Sequence, residues 1–167
     1  MVRQAKNDGP PLSQNRTEGW QLCRTRGESP AKVFEQAHSE ILQLCAQLEE
    51  IADSLPETVD SQICEDVAFR IVPLISGVHR FEETILYPWL EQHYPDRHSL
   101  HESLRRLKGE HLEDEGYAEE ISETLIRMKE HQRLQPETVG YMLRGFFEGM
   151  RRHIGTEREY LYELLEN

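Results

Sequence analysis

The residues of this chain best suited to chemistry are histidines followed by a glutamate four positions later. Three such pairs lie on predicted core faces: His79 with Glu83, His111 with Glu115, and His153 with Glu157. On a helix, residues i and i+4 project from the same side one turn apart, so both side chains of a pair can bind a single ion. One pair arises by chance on many solvated helices, but three pairs on predicted core faces indicate a metal site.

A fourth histidine, His38, also faces a predicted core, because it lies three residues before Ile41 in an apolar stripe. An isolated core histidine is usually hydrogen-bonded to a neighbouring helix, and alone His38 would be interpreted in that way. A faint internal repeat favours a shared role instead. His38 precedes His79 by 41 residues and His111 precedes His153 by 42. A bundle built of two such hairpins would bring all four histidines to a similar depth.

Apolar residues that recur with the period of a helix predict four long amphipathic helices around these histidines. Helix starts are indicated by Ser29-Pro30, by Val59 or Asp60, near Ser99, and by Gln135-Pro136. The connections are short, which favours an all-α, antiparallel up-down-up-down four-helix bundle over residues 30–167. Residues 1–29 contain several glycines and prolines without periodicity, and they predict an irregular, partly disordered N-terminal arm.

Charge and hydropathy exclude several classes of protein. The 167 residues carry a net charge of −12, which argues against nucleic-acid binding because that requires a basic surface. No apolar run approaches the roughly 18 residues of a membrane span, and no apolar segment follows the first basic residues, so we expect neither a membrane span nor a secretory signal. Three scattered cysteines without a Cys-x-x-Cys pair suggest reduced thiols and a cytoplasmic location.

Several carboxylates on core faces require compensating positive charge, since each unpaired buried ion costs several kcal/mol. The sequence supplies no comparable set of inward-facing lysines or arginines. Four histidines with two or three glutamates suit two ions bridged by carboxylates, with Glu83 and Glu157 as the expected bridges and Glu82 nearer the edge of the buried face. Iron or manganese fits this mixed set of ligands, and zinc could substitute. The alternative is that these side chains satisfy one another by hydrogen bonds.

These residues resemble the motifs of the hemerythrin-like (HHE cation-binding) family. The matching features are a lone His38 in the first helix, His79-x-x-x-Glu83 followed by Leu86-Tyr87-Pro88, Glu110-His111, and His153-x-x-x-Glu157. The resemblance implies a four-helix bundle over residues 30–167 with a non-haem di-iron centre. It also implies that the four histidines are terminal ligands and that Glu83 and Glu157 bridge the irons.

Glu115 departs from the oxygen-carrying hemerythrins, which have a fifth histidine at this place. If Glu115 binds metal, one iron gains a hard anionic ligand that favours the ferric state. The centre is then expected to autoxidise and to be unsuited to reversible oxygen carriage. If Glu115 does not bind metal, a coordination position is left open to solvent or to a small ligand. The sequence is compatible with both cases.

The function expected of such a centre is to sense, store or scavenge a small ligand (oxygen, nitric oxide or peroxide) or iron itself. One alternative is an enzyme, either a di-iron oxidase or peroxidase or a protein that repairs iron centres. A further alternative is an interaction bundle whose metal is purely structural. No nucleic-acid or membrane partner is expected, and a sensor would act through a protein partner.

Overall fold

The computed structural model describes residues 29–57, 59–130 and 134–166, and its long elements there are all helices. They are α1 (Pro30–Ser54), α2 (Ser61–Phe81), α3 (Tyr87–His93), α4 (His98–Lys129) and α5 (Pro136–Glu166). A π turn at Glu82–Leu86 joins α2 directly to α3, so these segments form one continuous helix of the bundle. The predicted N-terminal arm at residues 1–29 lies outside the described residues, except for Ser29.

The all-α four-helix bundle predicted from the sequence is confirmed. The continuous α2–α3 helix packs mainly on α4, and α1 packs mainly on α5. α1 also contacts α2, and α4 contacts α5. Helices that pack together run in opposite directions, because Phe34 near the start of α1 shares an apolar cluster with Leu161 near the end of α5. Leu107 of α4 shares the same cluster with Leu90 of α3. This is the arrangement of an up-down-up-down bundle. Among the described helices, none is both long and apolar enough to cross a membrane.

Side-chain caps start two of the helices. The Ser29 hydroxyl accepts a hydrogen bond from the Lys32 backbone N–H at 3.3 Å, and Pro30 occupies the first turn of α1. At the start of α2, Asp60 Oδ1 accepts a hydrogen bond from the Gln62 backbone N–H at 2.8 Å. Caps of this kind satisfy backbone donors that have no partner within the first turn, and each typically stabilises a helix by about 1 kcal/mol.

The apolar interior is divided into two clusters with a polar layer between them. In α1, Phe34 belongs to one cluster and Ile41 to the other, and His38 lies between them along the helix. In α4, Leu107 belongs to the same cluster as Phe34, and Ala118 belongs to the same cluster as Ile41. Close packing on both sides therefore holds the polar layer at one level of the bundle.

Candidate metal centre

Six buried side chains gather in the polar layer as two groups of three. The histidine triad consists of His79, His111 and His153, and the mixed triad consists of His38, Glu82 and Glu157. Within each triad, the candidate ligand atoms all lie within 4.8 Å of one another. All four helices of the bundle contribute, and His153 is the most accessible of the six at 7% exposure. Each triad therefore offers converging ligand atoms to one cation.

The π turn helps to decide which residues of the α2–α3 helix face this layer. The Tyr87 backbone N–H donates to the carbonyl of Glu82, five residues earlier, whereas an α-helix would pair it with the residue four earlier. Tyr87 follows His79 by eight residues, which in a regular α-helix would place it about 80° away around the axis. The wider turn takes up one extra residue and returns Tyr87 to the side of His79. Such turns are frequent at functional sites.

Hydrogen bonds hold the mixed triad together. His38 Nε2 lies 3.0 Å from Glu157 Oε2 and 3.4 Å from Glu82 Oε1. Burial alone would lower the pKa of His38, but the hydrogen bonds to the two carboxylates outweigh burial and raise this pKa to about 9. Burial and the neighbouring charge of Glu157 raise the pKa of Glu82. Burial would raise the pKa of Glu157, but the hydrogen bond with His38 and the nearby His153 ring overcome burial and lower this pKa. The layer thus concentrates acidic groups around a basic histidine.

Tyr87 connects the mixed triad to the histidine triad. Its hydroxyl donates a hydrogen bond to Glu157 Oε1 at 2.6 Å and lies 3.3 Å from His111 Nε2. The side chain is fully buried. Burial, followed by the charges of Glu82 and Glu157, raises the pKa of its phenol, so Tyr87 remains a protonated donor.

Two members of the histidine triad are held in the neutral form. The rings of His79 and His111 stack with centroids 3.9 Å apart and 5° between their planes. Burial, followed by repulsion from His111 and His153, lowers the pKa of His79 to about 2, and burial also lowers the pKa of His111. Burial would lower the pKa of His153, but the Glu157 carboxylate, 3.5 Å from its Nε2, outweighs burial and raises this pKa. Neutral imidazole is the form that binds metal ions, so the stacked pair needs no deprotonation first.

The triads contain buried polar atoms without a hydrogen-bond partner among the described residues. They include His79 Nε2, His153 Nε2 and Glu82 Oε2. Leaving such an atom unsatisfied costs about 1–3 kcal/mol. A divalent cation would give these atoms a partner and would also compensate the charge of the two buried carboxylates. The residues present therefore fit a metal ion.

The structure divides the seven residues predicted as metal ligands into two groups. Five of them lie in the triads: His38, His79, His111, His153 and Glu157. Glu83 and Glu115 lie in neither triad. Their side chains are 38% and 39% exposed, and they accept hydrogen bonds from the Nδ1 atoms of His111 and His79 respectively. That each of the seven binds a metal ion stays a prediction.

The expectation that Glu82 lies nearer the edge of the buried face is wrong. Glu82 is 1% exposed and belongs to the mixed triad. Glu82 follows His79 by three residues and Glu83 follows it by four, so in a regular helix they would diverge from the direction of that histidine by about 60° and 40°. Regular spacing therefore favours Glu83, which explains the error. The acidic doublet that ends four residues before Tyr87 is the one sequence feature that points to both carboxylates, and it does not distinguish them.

Comparison with known families gives an independent assignment. The family model of the hemerythrin HHE cation-binding domain matches residues 29–165. The chain belongs to the hemerythrin family. Neither a curated protein nor a solved structure gives a significant match to it. A hemerythrin-type domain is a cation-binding domain by the family's description, and the two triads in the polar layer of this bundle are suited to that role.

Proposed function

We propose that this hemerythrin-type bundle binds two non-haem iron ions, one at each triad, and uses them to sense, store or scavenge oxygen, nitric oxide or peroxide, or iron itself. The position of Glu157 supports this proposal most strongly. Its Oε2 atom lies 3.0 Å from His38 Nε2 and 3.5 Å from His153 Nε2, so one carboxylate reaches both triads. A carboxylate shared between two sets of ligand atoms is typical of di-metal centres in four-helix bundles.

The chemistry of the ligand atoms supports iron. Together the triads offer four imidazoles and two carboxylates. This mixture of nitrogen and oxygen ligands suits iron or manganese, and zinc could substitute. In this proposal Glu157 is the bridge, and Glu82 takes the place that the resemblance gives to Glu83.

The number of ligands favours a centre that is open to a small molecule. Two ions that are each about six-coordinate need more ligands than the six side chains of the triads provide, even with a shared carboxylate. Structural metal sites are usually closed by protein ligands, whereas reactive sites keep a position open. We therefore place ligand binding ahead of a purely structural metal.

The proposal includes a cytoplasmic location and, for a sensor, a protein partner, with no nucleic-acid or membrane partner. The described cysteines Cys45 and Cys64 are buried free thiols. Burial raises the pKa of these thiols to about 12 and about 11 respectively, which keeps both protonated and unreactive. Unreactive free thiols suit a reducing compartment.

Elemental analysis of protein purified from iron-replete cells tests the proposal. The wild type is expected to contain about two iron ions per chain. Glu157→Gln removes the shared carboxylate and is expected to lose most of this iron. Glu159→Gln neutralises an exposed glutamate on the same helix and is expected to retain it. One zinc ion or no metal in the wild type would reject the di-iron assignment.

Exposure of the ferrous protein to oxygen, nitric oxide and peroxide, followed by visible absorption, separates the functional hypotheses. Stoichiometric binding or oxidation without turnover supports sensing or scavenging. Sustained turnover of peroxide that is abolished in Glu157→Gln supports the oxidase or peroxidase alternative, and transfer of iron to a damaged iron protein supports repair. No spectral change, combined with unfolding on metal removal, identifies a structural metal.

A further inference from the structure

We propose that Glu83 and Glu115 are positioning residues that hold the rings of His111 and His79 from outside the metal centre and are not metal ligands. This inference rests on the proposed function, because it assigns roles around the same centre. It also gives Glu115 a role at the place where oxygen-carrying hemerythrins have a fifth histidine.

The first support is the pair of hydrogen bonds on the outer ring nitrogens. His111 Nδ1 donates to Glu83 Oε1 at 2.8 Å, and His79 Nδ1 donates to Glu115 Oε1 at 3.1 Å. A neutral imidazole carries its proton on one nitrogen only, so a protonated Nδ1 leaves Nε2 with a free lone pair. The two carboxylates therefore select the tautomer that binds metal through Nε2.

The second support is where the Nε2 atoms lie. His79 Nε2 is buried and has no hydrogen-bond partner among the described residues. His111 Nε2 lies 3.3 Å from the Tyr87 hydroxyl and 3.4 Å from Glu82 Oε2, inside the polar layer. The rings are stacked and nearly parallel, with centroids 3.9 Å apart. Both rings thus present Nδ1 to a carboxylate at the surface while Nε2 lies in the interior.

The third support is that the two contacts are reciprocal across one helix interface. Glu83, in the π turn that follows α2, binds the histidine of α4, and Glu115 of α4 binds the histidine of α2. In these two His-x-x-x-Glu pairs, the glutamate therefore contacts the histidine of the other helix and not its own. The α2–α4 interface consequently fixes both rings, and each helix supplies one candidate ligand and one support.

The fourth support is the contrast in burial between the two kinds of carboxylate. Glu82 and Glu157 are each 1% exposed and contact the histidines inside the layer. The side chains of Glu83 and Glu115 are 38% and 39% exposed. A partly solvated carboxylate that accepts from a ligand imidazole is the usual arrangement of an outer support, and loss of such a support typically costs about 10- to 100-fold in metal affinity.

The test compares four glutamine variants of the full chain, each reconstituted anaerobically with ferrous iron. Glu83→Gln and Glu115→Gln are expected to retain about two irons per chain, to bind iron about 10- to 100-fold more weakly, and to have a more positive reduction potential because a charge-donating acceptor is lost. Glu82→Gln is expected to lose iron. Glu123→Gln, an exposed glutamate on α4, is the matched control and is expected to match the wild type in all three measurements.

Two results would overturn the inference. Loss of an iron in Glu83→Gln or Glu115→Gln, as in Glu82→Gln, would make these residues ligands. An unchanged iron affinity and potential in both variants would make their contacts incidental.

A metal-free measurement distinguishes failure of this inference from failure of the proposed function. Nitrogen-15 NMR of the metal-free wild type is expected to show His79 and His111 protonated at Nδ1, and Nε2-protonated rings would refute the positioning role. If the rings have the expected tautomer but the wild type takes up no iron, the proposed function fails while the positioning role of Glu83 and Glu115 stands.

Discussion

Raising the pH from 7 to 9 is expected to destabilise the metal-free protein, because His38 loses its proton in this range. The His38 ring is fully buried, with Nε2 between Glu157 Oε2 at 3.0 Å and Glu82 Oε1 at 3.4 Å. In the folded protein these carboxylates favour the charged ring more strongly than burial disfavours it. An unfolded chain offers no such environment, so folding and protonation of His38 are coupled.

The size of this effect follows from the two pKa values. The pKa of His38 is about 9 in the folded protein and 6.5 in the unfolded chain. Because the folded-state value is the higher one, the stabilisation is fully present below pH 6.5 and is lost as the pH rises through 9. The difference corresponds to about 3 kcal/mol in total, of which about 2 kcal/mol is lost between pH 7 and pH 9.

Urea unfolding of chelator-treated protein at pH 7, 8 and 9 measures this loss. His38→Gln keeps a polar side chain but cannot titrate, so the difference between wild type and variant cancels the contributions of groups that do not contact His38, such as the cysteines. We expect the wild type to lose about 2 kcal/mol more than the variant across this range. Equal pH dependence in the two proteins, or a wild type that gains stability with pH, would refute the electrostatic account of the mixed triad.

Three further predictions concern the site and the core. Tyr87→Phe removes the hydroxyl that donates to Glu157 and should lower the free energy of unfolding in urea by about 1–2 kcal/mol, so an unchanged value would count against this contact. Leu44→Ala, in the fully buried apolar core, should cost about 3 kcal/mol while iron content per chain stays at the wild-type level, and parallel loss of iron would show that the polar layer depends on that cluster. Metal removal should lower stability by about 2.7 kcal/mol relative to protein held at a free metal concentration 100 times the dissociation constant, and identical thermal unfolding with and without chelator would argue against metal binding to the folded state.

The fold could be predicted from the sequence because local and global signals agree. Ser29-Pro30 and Asp60 mark helix starts through capping, which depends only on neighbouring residues. Apolar residues such as Phe34 and Ile41 repeat with the helical period and lie in the core clusters. Short connections between long amphipathic helices leave few arrangements other than an antiparallel bundle.

The candidate site could be predicted only in part, because its last details depend on contacts between helices. Spacing alone brings His79 and Glu83 to one side of a helix, but it does not show that Glu83 bonds to His111 of the neighbouring helix. The π turn likewise leaves no clear mark in the sequence, and so the choice of Glu82 for the mixed triad could not be made. Glu115 is the same kind of case, since its contact with His79 arises only when α2 and α4 pack together.

Anaerobic titration of the metal-free wild type with ferrous iron tests the central claim most directly. The two triads, linked by Glu157, predict that tight binding ends at about two irons per chain. An end point of about one iron, or no tight binding, would contradict a di-iron centre at these triads.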